Sequence, residues 1–422
     1  MSKPTVGFVG LGAMGFGMAT HLVKEGYPVH GFDVFPASVE RFKAAGGMPA
    51  DSLQDSASGK QYYVCMVASA PQVQTVLFGE GGIVSALPQN ATLLLCSTVP
   101  ASYAQSVAAE LQSRGRGDIH FIDSPVSGGA KRAADGTLSI MAGAPAASLE
   151  SGRFLLEAMS DANKLYLVPG GIGAGSNMKM VHQVLAGIQI LGGSEAMGFA
   201  AQLGLDATKT AEAIKSSDAW SWMHENRLQR MLEEDWHPGA SALTIILKDV
   251  FPTPLCSTAE QVYLSALLQG YGPVDDSSMV RQYFSEPIMK VACTKSAEET
   301  AESLQLVLDM MEVTNTVAAA EAIAFARYLK VDLMQFFTLV SDAAGSSRAF
   351  MTKGLEIVEG RVGQNTETVN DAIRRLEKAV QRARDLHCPL HLGNAAMNVL
   401  FMAKKAGFGA EGSTSVIKVY GN

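Results

Sequence analysis

Lys179 lies in Gly173-Ala-Gly175-Ser-Asn-Met-Lys179, where a glycine-rich entry opens a long apolar-periodic stretch. About 165 residues earlier the chain carries Gly10-Leu-Gly12-Ala13-Met14-Gly15, a GxGxxG run of the kind that admits a dinucleotide pyrophosphate. An amine beside a nicotinamide can take the proton of an alcohol while hydride leaves the carbinol carbon. These residues therefore point to hydride transfer with a lysine as general acid/base. A substrate must also be held. Asp123-Ser-Pro-Val-Ser127-Gly128-Gly129 offers a hydroxyl and open backbone amides that suit a carboxylate, although Ser-Gly-Gly alone is also an ordinary turn.

The elements around these residues read as alternating strands and helices. Thr5 to Val9 is a short apolar strand, and Phe16 to Lys24 reads as a helix after the glycines. In that context Gly10, Gly12, Ala13, Met14 and Gly15 are expected to cradle the pyrophosphate at a helix N-terminus. A second strand, Val29 to Phe32, ends in Asp33, placed to accept hydrogen bonds from the adenosine ribose hydroxyls. Val34, Phe35 and Pro36 follow with no Arg among them, so NAD is expected in preference to NADP. Further strands at Tyr62 to Val67, Thr92 to Cys96 and His120 to Ile122 complete a Rossmann-like, doubly wound parallel sheet of α/β class. Their C-terminal ends nominate Ala68, Ser97 and Thr98 as neighbours of the cofactor. Thr98 either hydrogen-bonds the nicotinamide side or caps a helix before Pro100. A turn at Asp135-Gly136-Thr137 leads into a strand from Leu138 to Met141.

In order and spacing, these segments resemble the β-hydroxyacid dehydrogenase family over about residues 4 to 285. The resemblance implies that Ser127, Gly128 and Gly129 hold a substrate carboxylate, that Lys179 is the catalytic residue, and that Lys248 of Lys248-Asp249 faces substrate and nicotinamide. Beside Lys248 and partly desolvated, Lys179 is expected to have a lowered pKa. The family usually places Asn four residues after the lysine. Here Gln183, preceded by His182, offers the same amide from one methylene further out, which resembles the threonate-type branch more than the 3-hydroxyisobutyrate branch. Lys131-Arg132 either contacts a more anionic substrate or forms a solvated basic pair. The expected activity is NAD-dependent oxidation of a small hydroxy acid. The alternatives are reduction of a short semialdehyde such as tartronate or succinic semialdehyde, imine reduction, or a catalytically inactive NAD-binding regulatory protein. Intact Lys179, Ser127 and Lys248 argue against the last.

Beyond Tyr283 the sequence repeats itself. Ser194-Glu-Ala-Met-Gly-Phe-Ala-Ala-Gln-Leu-Gly-Leu-Asp206 recurs as Ala320-Glu-Ala-Ile-Ala-Phe-Ala-Arg-Tyr-Leu-Lys-Val-Asp332, and Gly270 through Tyr283 recurs as Gly407 through Tyr420. The expected architecture is a Rossmann domain (1–168), a helical substrate domain (169–290) and a degenerate helical repeat (291–422), resembling 6-phosphogluconate dehydrogenase. In this register Gln305 replaces Lys179, Asp309 replaces Gln183, and only a shifted Arg384-Asp385 stands near the counterpart of Lys248-Asp249. The repeat is expected to pack on the first copy as an internal pseudo-dimer. A homodimer of whole chains is a further expected assembly.

Composition narrows the remaining classes. The 422 residues are 47% hydrophobic and 18% charged with a net charge of -8, and no Lys/Arg run forms a phosphate-tracking stripe, so nucleic acid is not an expected partner. The five cysteines are scattered without CxxC pairs and mostly in apolar stretches, which predicts buried thiols in a reducing compartment. The chain enters an apolar strand almost at once, leaving no room for a signal segment. The apolar stretch Val184 to Ala201 contains Gln189 and Glu195 and reads as a core helix, not a membrane span. A cytoplasmic enzyme is expected. His182 reads as a core histidine, and Pro389 disfavours a helix that would align His387 with His391, so no metal is expected.

Overall fold

The computed structural model describes residues 3–237 and 253–421, and its contacts divide the chain into two units, Met1–Met180 and Val181–Asn422.

In the first unit, six parallel strands are ordered β3-β2-β1-β4-β5-β6. They are β1 (Val6–Val9), β2 (Val29–Phe32), β3 (Met48–Pro49), β4 (Tyr62–Cys65), β5 (Thr92–Leu95) and β6 (His120–Asp123). All four residues of β1 and of β5 are buried, as a parallel sheet with helices on both faces requires. The order reverses direction between β1 and β4, so the C-terminal ends of those neighbours open the crevice where such sheets bind ligands. The doubly wound sheet is thus present with its five anticipated strands, joined at the edge by the short β3, which was not anticipated. The first helix, Ala13–Lys24, starts one turn earlier than the sequence pattern indicated, inside the glycine motif itself.

A second, three-stranded sheet contains β7 (Val126–Ser127), β8 (Leu138–Ala142) and β9 (Ser160–Leu167), with β7 antiparallel and β9 parallel to β8. The helix Gly129–Asp135 joins β7 to β8 and closes on Gly136 in the left-handed conformation, at φ 67. Gly17 lets the first helix lie flush on this one, because a Cβ there would come within 2.8 Å of the Ala134 amide. That contact ties the dinucleotide loop to the serine-glycine turn.

The helix Ala174–Gln202 starts in the first unit and continues into the second, and its most apolar window is wholly buried, as a core helix should be. Within the second unit, hydrogen bonds between residues before and after 290 come in matched pairs. The Gln189 side chain donates to the Gly345 carbonyl at 2.7 Å, and the Asn315 side chain donates to the Ala219 carbonyl at 3.4 Å. Residues 189 and 219 map onto 315 and 345 by one shift of 126. The Trp222 amide donates to Ser346 and the Arg348 amide to Trp220, on either side of an antiparallel bridge between Ser221 and Ser347. Glu195 accepts from the amides of Leu392 and Gly393 at the start of the helix His391–Ala403. Glu321, its counterpart, accepts from Leu255 and Cys256 at the start of Pro254–Leu268.

Cys65, Cys96, Cys256 and Cys388 are buried. Cys293 departs from the expectation and is exposed, because it lies in the connection before the helix Ala297–Tyr328 and not in an apolar face.

Candidate active site

The glycine motif folds as its chemistry demands. Gly10 has φ 92, and a Cβ there would strike the Met66 carbonyl, while a Cβ on Gly15 would strike the carbonyl of Gly10. Gly12 stands at the cap of the first helix with nothing near its would-be Cβ, and no side chain caps that helix. The N–H groups of the first turn, from Ala13 to Gly15, therefore remain available to an anion on the positive helix end. The adjoining Leu11 amide donates to Asp33 at 2.6 Å, and Asp33 also accepts from Phe35 at 2.9 Å, which fixes the carboxylate at the end of β2. An uncapped helix start, a glycine that leaves room and an oriented carboxylate together fit a nicotinamide dinucleotide.

Arg41 is a neighbour that sequence reading missed. From the helix Pro36–Ala44 it donates to the Leu11 carbonyl at 3.2 Å, and its guanidinium lies over the Phe16 ring at 3.9 Å. The residues directly after Asp33 carry no signal of it, because a turn of helix separates the two in sequence. At the neighbouring strand ends, the Ser97 hydroxyl accepts from the Val67 amide at 2.8 Å, and Ala68 is exposed. Thr98 does not cap the next helix. That helix starts at Ala101 with Pro100 in the cap position and no side-chain cap bond.

The serine-glycine turn follows β6. Ser127 is half-buried on β7, and Gly128 and Gly129 both take positive φ, 141 and 73. A Cβ on Gly129 would meet nothing, whereas one on Gly128 would press on the Arg132 side chain. Lys131 is exposed and Arg132 half-buried.

Lys179 sits on the second turn of the helix Ala174–Gln202 and is 7% exposed. The start of this helix is held by Asp123, the last residue of β6. One oxygen of the fully buried Asp123 carboxylate accepts from the amides of Gly173 (3.1 Å) and Ser176 (2.8 Å), and the other from the Ser176 hydroxyl (2.6 Å). Burial pushes the Asp123 carboxyl up to about 6 against these hydrogen bonds, which favour its charged form. No local spacing marks Asp123 for this role, since its partners stand 50 and 53 residues away.

One turn after Lys179 on the same helix, Gln183 is half-buried and His182 is buried. Lys248 and Asp249 lie outside the described residues. Among the described residues, no three His, Cys, Asp or Glu side chains gather as a metal site would need.

Comparison with known proteins agrees with this geometry. Residues 5–170 match the family model for the NAD binding domain of 6-phosphogluconate dehydrogenase. Residues 173–283 and 300–420 both match the model for the NAD-binding region of NADP-dependent 3-hydroxyisobutyrate dehydrogenase. L-threonate dehydrogenase of Cupriavidus necator is 35% identical over 287 residues, covering 65% of this chain and 95% of that protein. A crystal structure of 3-hydroxyisobutyrate dehydrogenase from Salmonella typhimurium is 33% identical with a TM-score of 0.61, covering 67% of this chain and 100% of that one. The 6-phosphogluconate dehydrogenase of Plasmodium falciparum shares the fold alone, with a TM-score of 0.70 at 13% identity over 94% of this chain and 92% of that one. A dinucleotide loop on a Rossmann sheet, a serine-glycine turn, a buried lysine on the following helix and these matches place the chain in the β-hydroxyacid dehydrogenase family.

Proposed function

We propose that the protein oxidises a small hydroxy acid, of the threonate or 3-hydroxyisobutyrate type, with NAD as hydride acceptor and Lys179 as general base. The observation that carries this reading is the burial of Lys179 on a helix whose start is bonded to Asp123, four residues before Ser127. Ser127 and the amides of Gly128 and Gly129 hold the carboxylate. Neutral Lys179 takes the alcohol proton as the C–H pair leaves as hydride, giving the carbonyl product and an ammonium that returns its proton to solvent. The nicotinamide supplies the hydride acceptor when bound. Gln183, one turn along, orients a further hydroxyl of the substrate, and Lys248 completes the substrate side. The similarity to L-threonate dehydrogenase favours a polyhydroxylated four-carbon acid as first candidate. For the cofactor, Asp33 favours NAD by repelling a 2′-phosphate, and exposed Val34 and Phe35 offer apolar surface to the adenine.

The test is a screen of hydroxy acids with NAD and with NADP, read by nicotinamide absorbance. Turnover of L-threonate or 3-hydroxyisobutyrate with NAD is expected. No turnover of any hydroxy acid with either dinucleotide overturns the reading.

We also propose that residues 291–422 are a degenerate repeat that packs on residues 181–290 as an internal pseudo-dimer. The matched hydrogen bonds support it, since an isologous interface has each contact twice. The chain then has one active site, because Gln305 stands where Lys179 does in the first copy.

A further inference from the structure

Resting on the reading of Lys179 as the base, we propose that Asp123 is its positioning residue, a carboxylate on the sheet that fixes the register of the lysine-bearing helix. A helix start is commonly capped by a neighbour in sequence, a Ser, Thr, Asp or Asn at the preceding position. Here the cap comes from the end of β6, 50 residues away, and it takes the Gly173 amide and both donors of Ser176. Ser176 precedes Lys179 by three residues, so the two share a helix face.

The fit around this clasp leaves no slack. The Asp123 backbone exchanges two hydrogen bonds with Gly143, at 3.2 and 2.8 Å. A Cβ on Gly143 would come within 2.5 Å of the Gly171 carbonyl and 2.7 Å of the Gly175 amide. A Cβ on Gly175 would come within 2.7 Å of the Asp123 carbonyl. Glycine at both positions lets the helix start rest directly on the strand ends, and the carboxylate then sets its rotation. Four residues further on, the same chain becomes Ser127. One buried residue thus links the carboxylate turn to the amine that must meet the same substrate. Catalytic geometry is sensitive to such links, because a displacement of ~1 Å costs on the order of 100-fold in rate.

The test compares Asp123→Ala, Asp123→Asn and Ser176→Ala in the full-length protein, measuring kcat, KM, the dinucleotide Kd by fluorescence titration, and the melting temperature. Loss of the clasp in Asp123→Ala is expected to lower kcat by about 10- to 100-fold, with the dinucleotide Kd within about threefold. Asp123→Asn can still accept from an amide and donate to the Ser176 hydroxyl, so it should restore most of that loss. Combined with Lys179→Ala, Asp123→Ala should add less than about twofold to the residual loss, since it acts through the lysine. A soluble Asp123→Ala with kcat within about twofold of wild type overturns the proposal, as does a parallel loss of kcat and dinucleotide binding. Should Asp123→Ala fail to fold, Ser176→Ala decides, with a drop of about three- to tenfold in kcat alone expected and an unchanged kcat contradicting it. If Lys179→Ala keeps full turnover, the reading of Lys179 fails instead, whatever Asp123 does.

Discussion

The residues that carry the chemistry are those whose type and spacing leave few other uses. Gly10 and Gly15 were legible because a backbone turn against a strand end excludes a Cβ, and the structure shows both collisions, whereas a Cβ on Gly12 would meet only open space. Asp33 was legible as a strand end, and its bond to the Leu11 amide adds a second duty. Removing it in Asp33→Ala should weaken NAD binding by about tenfold, or about 1.4 kcal/mol, in a fluorescence titration. NADP binding should fall less, because the repulsion of the 2′-phosphate is removed at the same time. Arg41→Ala should weaken NADP more than NAD, since its guanidinium is the cation beside the loop. Equal losses for both dinucleotides would show that Arg41 only braces the loop. Asp123 and Arg41 were not legible, because their partners are made neighbours by the fold and not by any local spacing.

Among the elements, the long helix Ala174–Gln202 shows what a sequence pattern conveys and what it hides. Its apolar character predicted burial, and Gln189 and Glu195 looked like interruptions. They are instead its contacts with Gly345 and with the start of the helix His391–Ala403. Burial pushes the Glu195 carboxyl up to about 7 even though Leu392 and Gly393 donate to it. A carboxyl whose pKa is raised on folding adds stability below its unfolded value near pH 4.5, and that contribution is lost as pH rises through about 7. The loss is up to about 3 kcal/mol, at 1.36 kcal/mol per pKa unit. Buried His224 acts in the opposite sense, its pKa lowered to about 4, so its contribution is lost as pH falls from its unfolded value toward 4. The two are separable by comparing wild type with Glu195→Gln. The melting temperature of the variant relative to wild type should rise between pH 5 and pH 8, because only wild type bears the buried charge. A constant difference across that range would show that Glu195 titrates as in the unfolded chain.

For the whole molecule, the doubly wound sheet followed from alternating apolar runs, and the proposed repeat rests on self-similarity of the sequence. The short β3 and the partly exposed β9 did not follow from such runs, since two residues carry no period and β9 is not an apolar run. On the proposed repeat, the shift changes from 126 residues at Ser221 and Ser347 to 137 at Leu255 and Leu392, which would make the second copy 11 residues longer in between. In that stretch stands Glu367, which pairs with Lys353 at 2.6 Å and with Arg375 at 2.5 Å. Arg375 also pairs with Asp309, which accepts from Gln305 at 2.8 Å. On the proposed repeat, the counterparts of Lys179 and Gln183 are Gln305 and Asp309, a pair locked into this ion-pair cluster. Gln305→Lys should therefore add no turnover, and calorimetry should find one dinucleotide per chain. Ending the chain after Lys290 would strip Glu195 of its amide partners and expose the apolar residues of Ala174–Gln202 that residues 291–422 cover. Insoluble or inactive protein is expected, and a soluble, fully active truncation would contradict the internal pseudo-dimer.

The decisive measurement is steady-state turnover of Lys179→Ala on the best hydroxy acid, beside a dinucleotide titration of the same preparation. General-base catalysis contributes about 10²- to 10⁴-fold, so kcat should fall by at least about 100-fold with the dinucleotide Kd unchanged within about threefold. Turnover within about tenfold of wild type would show that another group takes the proton.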